Sequence, residues 1–353
     1  MGLMIDIEKR YKDFLLKVKF NTEGKPTGLL GASGCGKSLT LKCIAGIEKP
    51  DQGQIILNDR VLYDSDKGIN LSPQKRNIGY LFQNYALFPN ITVRQNIELV
   101  VRNKNKSKAT ADKLMEMLRL TELQKRYPSQ LSGGEQQRTA LARMMAYEPE
   151  LMMFDEPFSA IDSFLKDQLQ QELSEVLNEY KGDLLMVSHS RDELYRFCQK
   201  IAVLKLGRMI EFGEKTDIYS KPSNIYTAKL TGCKNISRAR RISEYEVKAL
   251  DWNLILRTER PVEEDVCYVG IRAHNIRPDY QFKGVNSIRV SSVGCSEGPF
   301  EHSFIFCPNE NENEEGKLCW IVSKQEWREI LKEKLPEAIT LPREHLLLLK
   351  DNF

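Results

Sequence analysis

Residues Gly31 to Ser38 read GASGCGKS, a glycine-rich turn that carries one lysine and one hydroxyl. The spacing satisfies G-x-x-x-x-G-K-(S/T), a pattern that carries chemistry when a strand precedes it and a helix follows. Both are predicted: TGLLG is a short apolar run, and SLTLKCIAGI has helical spacing. Gly34 and Gly36 would let consecutive backbone N–H groups turn inward around phosphate oxygens, and the following helix would aim its positive end at the same charge. Lys37 would reach the β- and γ-phosphates of a nucleotide, and the Ser38 hydroxyl would ligate Mg2+. The competing reading is a plain glycine turn between a strand and a helix.

LMMFDE places Asp155 and Glu156 at a strand end after four apolar residues. Buried carboxylates are costly without partners, so the pair calls for a cation or a proton to handle. Asp155 suits Mg2+ through a water, and Glu156 suits polarising an attacking water as general base. Taken alone, DE after a strand is also a common helix cap. His189 follows the run LLMVS and by itself reads equally as a core-edge histidine with one hydrogen bond. Gln83, in GYLFQNYALFP, could touch Mg2+ or the lytic water.

LSGGEQQR, Leu131 to Arg138, poses a different problem. Ser132 and Glu135 form a capping box, so a helix should begin there and run through QQRTALARMMAY. Gly133 and Gly134 each weaken that first turn by about 0.5–1 kcal/mol relative to alanine. Two of them together imply that bare backbone is needed at this point.

The elements that must position these groups alternate short β-rich runs with helical patterns up to about Gly232, as in a mostly parallel sheet with helices on its faces. TGLLG, LMMF and DLLMVS read as its buried strands, each ending where polar residues begin. Residues near 92–145 read as helical, with VRNKNKSKAT a polar loop and ADKLMEMLRL amphipathic. Past Gly232 short alternating stretches, DWNLILRTE, VCYVGIRA and NSIRVSSV, predict a small β-rich domain, with the acidic PNENENEEGK a solvated hairpin loop.

At 353 residues the chain should hold two domains. With 52 basic and 49 acidic residues and no basic stripe, nucleic acid is not the leading partner. No apolar run approaches the roughly 18–20 residues that span a bilayer, and MGLMIDIEKRY meets Asp6 too early for a signal peptide, so a cytosolic placement is expected. Eight scattered cysteines, without a CxxC pair, read as reduced thiols and indicate neither a disulfide framework nor a zinc site.

In order, GASGCGKS, Gln83, LSGGEQQR, LMMFDEP, SAID and His189 closely resemble the ATPase subunits of ATP-binding-cassette transporters, over about residues 3–231. The resemblance implies ATP and Mg2+ as the bound groups and two ATPase domains closing head to tail. The LSGGE segment of one copy, Ser132, Gly133, Gly134 and Glu135, would cover the γ-phosphate held by the other copy's loop, Gly31, Ala32, Ser33, Gly34, Cys35, Gly36, Lys37, Ser38 and Leu39. It further implies that Gln83 senses the γ-phosphate and touches the metal, that Ser38 and Asp155 serve Mg2+, that Glu156 is the base, and that His189 contacts the γ-phosphate. Ser159 to Asp162 reads SAID where the family most often has SALD, keeping Asp162. Tyr11 resembles the aromatic that stacks on adenine, with Phe14 as its competitor.

A single phosphate loop with no membrane span implies separate permease subunits. NYALFPNITVRQN, Asn84 to Asn96, resembles the segment that receives their coupling helix, with Tyr85, Leu87 and Phe88 lining the groove; the competing reading is that these residues pack the domain. The expected architecture is a P-loop ATP-binding domain at 1–231, with a helical subdomain at about 92–145, followed by an OB-like accessory domain at 232–353, whose start VGIRAHNIRP resembles that behind importer ATPases. Such a subunit would sit at the cytoplasmic face of the membrane and serve an extracytoplasmic solute-binding protein indirectly. The long insertion before KRNIGY is similar to molybdate importer ATPases, which makes molybdate or tungstate the expected solute; NYALFPN is shared with sulfate, sugar and polyamine importers. Ser291 to Ser303 reads as an oxyanion-sensing site or as a serine-rich turn. A non-transport cassette ATPase and an idle regulatory module are the competing classes.

Overall fold

The computed structural model describes residues 2–82, 84–159, 163–180, 182–308, 316–332 and 334–351. Gln83, Asp162 and residues 309–315 of the acidic loop therefore lie outside the described residues. The chain divides into two compact units, residues 1–215 and 216–353.

The first unit opens with strands β1 (Leu3–Tyr11), β2 (Phe14–Asn21) and β3 (Thr27–Leu30), then helix α1 (Lys37–Ala45). Strands β4 (Gln52–Leu57), β5 (Arg60–Asp64) and β6 (Ile69–Asn70), the short helix α2 (Pro73–Arg76) and β7 (Ile78–Leu81) follow. Next come helices α3 (Val93–Glu98), α4 (Ser107–Met117) and α5 (Gly133–Ala146). The unit ends with β8 (Leu151–Asp155), α6 (Ser163–Glu179), β9 (Asp183–Val187), α7 (Arg191–Phe197), β10 (Lys200–Lys205) and β11 (Arg208–Glu214).

Among the described residues these strands form one eleven-stranded sheet in the order β6-β5-β4-β1-β2-β11-β10-β3-β9-β8-β7. The half that carries the motifs is parallel: β10, β3, β9, β8 and β7 are joined by parallel pairings. Its buried strands β3 and β9 are apolar apart from one terminal residue each, because both faces are covered. The other half departs from the expected parallel sheet. β1–β2, β1–β4 and β4–β5 run antiparallel; β1–β2 and β4–β5 are joined by turns too short for a crossover, where Tyr11 pairs Phe14, and Leu57 pairs Arg60 across Asn58 and Asp59, both at positive φ. The polar loop is also shorter than the sequence implied, since α4 already begins at Ser107.

The second unit contains helices α8 (Lys215–Ser220, its first residue belonging to the first unit) and α9 (Ile225–Leu230) and strands β12 (Asn235–Ser243), β13 (Glu246–Ala249), β14 (Leu254–Arg257) and β15 (Tyr268–Ile271). They are followed by β16 (Arg277–Pro278), β17 (Ser287–Glu297), β18 (Glu301–Pro308), β19 (Leu318–Ser323), α10 (Lys324–Glu329), β20 (Ala338–Thr340) and β21 (Leu347–Leu349). Two five-stranded sheets, β14-β13-β12-β15-β21 and β16-β20-β17-β18-β19, share one apolar core. Phe304, Phe306, Trp320 and Trp327 dominate it, with Phe304 and Trp327 ring centroids 4.7 Å apart. The stretch Ser291–Ser303 is the outer part of the β17–β18 hairpin. The sequence expectation of an α/β P-loop unit followed by a β-rich unit is met.

Candidate active site

The loop Gly31–Gly36 leaves the carboxyl end of β3 and delivers the chain into α1. Gly36 caps that helix at φ 107°, a left-handed conformation that suits glycine, and an added Cβ would lie 2.8 Å from Leu16 Cδ1 and 3.1 Å from Phe14 Cζ. Gly34 is also left-handed, at φ 77°. Ala32, Ser33, Gly34 and Ser38 are exposed, Leu39 is half-buried against the core, and Cys35 is 3% exposed. The buried Lys37 side chain folds back over the loop, and its ammonium donates to the carbonyls of Gly31 at 2.7 Å and Ala32 at 3.1 Å.

Asp155 ends β8, two strands from β3, and the sheet brings it to that loop. Ser38 Oγ donates to Asp155 Oδ1 at 2.9 Å, and Tyr80 Oη on β7 donates to Asp155 Oδ2 at 2.9 Å. Glu156 follows with φ 50°, a strained value for a residue with a side chain, and its N–H is tied to the Val187 carbonyl at 2.9 Å. Ser159 holds the other side of that turn, donating through N–H and Oγ to the Glu156 carbonyl. The backbone thus turns the Glu156 carboxylate toward His189, whose Nδ1 lies 3.3 Å from Oε2. The segment bearing His189 is itself pinned, since Ser188 Oγ donates to Glu193 at 2.6 Å and accepts from Ser190 N–H at 2.9 Å.

Two hard oxygen donors, the Ser38 hydroxyl and the Asp155 carboxylate, stand 2.9 Å apart at the mouth of a phosphate-type loop, a donor set that fits Mg2+. The Ser132 and Glu135 side chains, by contrast, bond to each other's backbone at the start of α5. Ser132 N–H donates to Glu135 Oε2 at 2.7 Å, and Glu135 N–H donates to Ser132 Oγ at 3.4 Å. That backbone hydrogen bond holds the Glu135 carboxyl below its ordinary range. Apart from its chain neighbours and the backbone of its own helix, no described heavy atom lies within 4 Å of where a Gly133 Cβ would sit, and its φ is not positive. The fold of this copy therefore gives no reason for glycine there.

Tyr11, 53% exposed, and the half-buried Phe14 face each other across the β1–β2 turn. Phe14 lies close to Gly36 and Gly207, at 3.1 and 3.0 Å from where their Cβ atoms would sit. In the Asn84–Asn96 segment, Tyr85 is buried and packs the unit, whereas Phe88 is 45% exposed beneath the Arg143 guanidinium. The buried Asn96 fixes this segment, accepting from Phe88 N–H at 3.0 Å and donating to the carbonyls of Phe88, Ile91 and Thr92. Motif reasoning missed Tyr80. Its place in β7, beside β8 and three residues before Gln83, is the signal that could have found it.

A glycine-loop α/β unit with a Ser–Asp pair and a glutamate directly after that aspartate at the strand end defines a nucleotide-binding P-loop protein. Residues 16–159 match the ABC transporter family. A sulfate/thiosulfate import ATP-binding protein of Mycobacterium tuberculosis is 37% identical over 253 residues, 70% of this chain and 70% of that protein. An Fe(3+) ions import ATP-binding protein of Haemophilus influenzae is 40% identical over 208 residues, 58% of this chain and 59% of that protein. A putrescine transport ATP-binding protein of Escherichia coli is 40% identical over 221 residues, 61% of this chain and 56% of that protein. The match thus spans less than two thirds of the iron and putrescine relatives. A solved dimeric ATP-binding cassette, in a post-hydrolysis state with ADP and Pi, superposes with a TM-score of 0.51 at 28% identity, covering 61% of this chain and 99% of that one. The chain belongs to the ABC transporter family, as one of its ATP-binding subunits. No described helix is long and apolar enough to cross a membrane.

Proposed function

We propose that this chain is the ATP-hydrolysing subunit of an ABC importer, acting as a homodimer on the cytoplasmic face of a membrane and driving separate permease subunits. One observation carries the reading: Ser38, Asp155, Glu156 and His189, scattered over the sequence, meet at the carboxyl ends of neighbouring parallel strands. Lys37 supplies positive charge to the β- and γ-phosphates, and the loop N–H groups orient them. Ser38 and Asp155 would hold Mg2+, which would neutralise charge on the phosphates. Glu156 accepts the proton of the attacking water, and His189 beside it fixes the carboxylate and meets the γ-phosphate. Gln83 keeps the γ-phosphate and metal role that the family resemblance gives it, and Asp162 keeps its place among the nucleotide-binding residues.

The exposed Ser132–Gly133 backbone at the start of α5 is assigned to the γ-phosphate held by the second copy, where a helix N-terminus favours an anion. The dimeric architecture of the solved cassette supports that pairing. Phe88 is the contact for the permease; Tyr85, being buried, is not. The relatives named above import sulfate/thiosulfate, iron(III) and putrescine, and they favour a small charged solute of that kind over molybdate. The assigned machinery, Lys37, Asp155 and Glu156, speaks against an idle regulatory module.

Phosphate release by the purified protein with ATP and Mg2+ tests the enzymatic reading, with Lys37→Ala as the inactive control. Uptake by liposomes carrying the co-purified permease, fed with sulfate, iron(III), putrescine or molybdate and the matching binding protein, tests the solute. Uptake of molybdate alone would overturn the solute reading.

A further inference from the structure

Asp155 is held from two sides, and only one of its partners belongs to the phosphate loop. Ser38 Oγ takes Oδ1, while Tyr80 Oη takes Oδ2, each at 2.9 Å. We propose that Tyr80 is a positioning residue for the metal-holding carboxylate: its hydroxyl fixes the rotation of Asp155 so that the other oxygen faces Ser38. The inference rests on the metal reading of Asp155 given above.

The register shows why a tyrosine suits this place. In the parallel pairing of β7 with β8, Tyr80 stands opposite Met153, so Asp155 lies two residues further along on the same face. Two residues of strand rise about 6.6 Å, a gap that a tyrosine ring and its hydroxyl can bridge and a serine or threonine cannot. Phe82, two residues on in the same chain, stacks on the Tyr80 ring with centroids 4.2 Å apart and planes at 29°. The ring is therefore held independently of the bond it makes. A carboxylate whose two oxygens have different fixed donors has one orientation, whereas one held only by Ser38 can turn away from the metal position. Outer partners of metal-holding carboxylates act this way in general, and their loss weakens metal binding by about tenfold or more.

The test uses Mn2+ as the probe, titrated against the full-length protein saturated with ADP and followed by electron paramagnetic resonance. Tyr80→Phe keeps the ring and its stacking and removes only the hydroxyl. We expect Mn2+ to bind about tenfold more weakly to it than to wild type. ADP affinity measured in EDTA and the thermal midpoint should stay at wild-type values, which separates loss of orientation from loss of fold. Mn2+ affinity within twofold of wild type, or tighter, overturns the proposal. Asp155→Asn and Ser38→Ala are measured in parallel. If they lose Mn2+ while Tyr80→Phe does not, only the positioning role falls; if neither loses Mn2+, the metal reading falls as well.

Discussion

His189 Nδ1 lies 3.3 Å from Glu156 Oε2, and the two residues reach each other from the ends of neighbouring parallel strands. The Glu156 backbone is strained, at φ 50°, and is held by Val187 and Ser159. Strain of this kind persists only where the surroundings over-determine it, and here it aims a carboxylate.

Glu156→Gln should therefore leave ATP binding intact and lower ATP turnover by at least about a hundredfold, the lower end of what a general base contributes. Steady-state phosphate release and equilibrium binding of a fluorescent ATP analogue measure the two effects separately. With ATP present the variant should also run as a dimer in size-exclusion chromatography with light scattering.

Gly133→Ala should separate stability from activity. Apart from its chain neighbours and the backbone of its own helix, an added Cβ meets no described atom within 4 Å, and alanine favours a helix by about 0.5–1 kcal/mol over glycine, so the thermal midpoint should hold or rise. ATP turnover should nevertheless fall, because the methyl would stand between the helix N-terminus and the phosphate of the second copy. A stable variant with full turnover would remove the reason given for the glycine.

Cys35 sits inside the phosphate loop, and a bulky adduct there should block nucleotide binding. Burial pushes its thiol above the ordinary value, so thiolate is scarce at neutral pH. Maleimide inactivation should be slow at pH 7 and accelerate as pH rises, by up to about tenfold per unit below the thiol's own pKa, and saturating ATP should protect. The rate constant of activity loss with and without ATP reads this directly; equal rates would place the loop elsewhere.

Arg76 is fully buried, and its guanidinium donates to the carbonyls of Leu71, Cys43 and Ile44 and to Asn70 Oδ1. Two of these acceptors are carbonyls in the last turn of α1, whose other end carries Lys37 and Ser38. Burial lowers the Arg76 pKa to about 10, so it stays charged at neutral pH. Arg76→Leu would leave these acceptors unsatisfied and should destabilise the first unit by on the order of 3 kcal/mol, read from urea unfolding. Little or no change would show that the carbonyls find other donors.

The sequence made the candidate site legible as a set of residues that the fold brings together, because phosphate, metal and water chemistry each call for particular residue types. GASGCGKS, Asp155, Glu156 and His189 have few substitutes, and the parallel strands that carry them are apolar on both faces. Tyr80 and Arg76 were not legible. A tyrosine in IGYL reads as an ordinary strand former, and the arginine of PQKR reads as part of a solvated charge run; the Tyr80 partner and the two Arg76 acceptors in α1 lie far along the chain. Tyr85 and Phe88 share one apolar stretch, and nothing in it announces the positive φ at Tyr85 and Ala86 or that Tyr85 is the buried ring. In the second unit, alternation marked β14, β15 and β17, but nothing local states that β15 pairs with both β12 and β21.

The central claim is that each catalytic site is completed by a second copy of this chain. A structure of Glu156→Gln with ATP and Mg2+ tests it most directly. The account predicts Ser132 Oγ and the Gly133–Gly134 N–H groups within hydrogen-bond reach of the γ-phosphate held by Lys37 of the other copy. Ser132 lying remote from every terminal phosphate, in every assembly present, would contradict it.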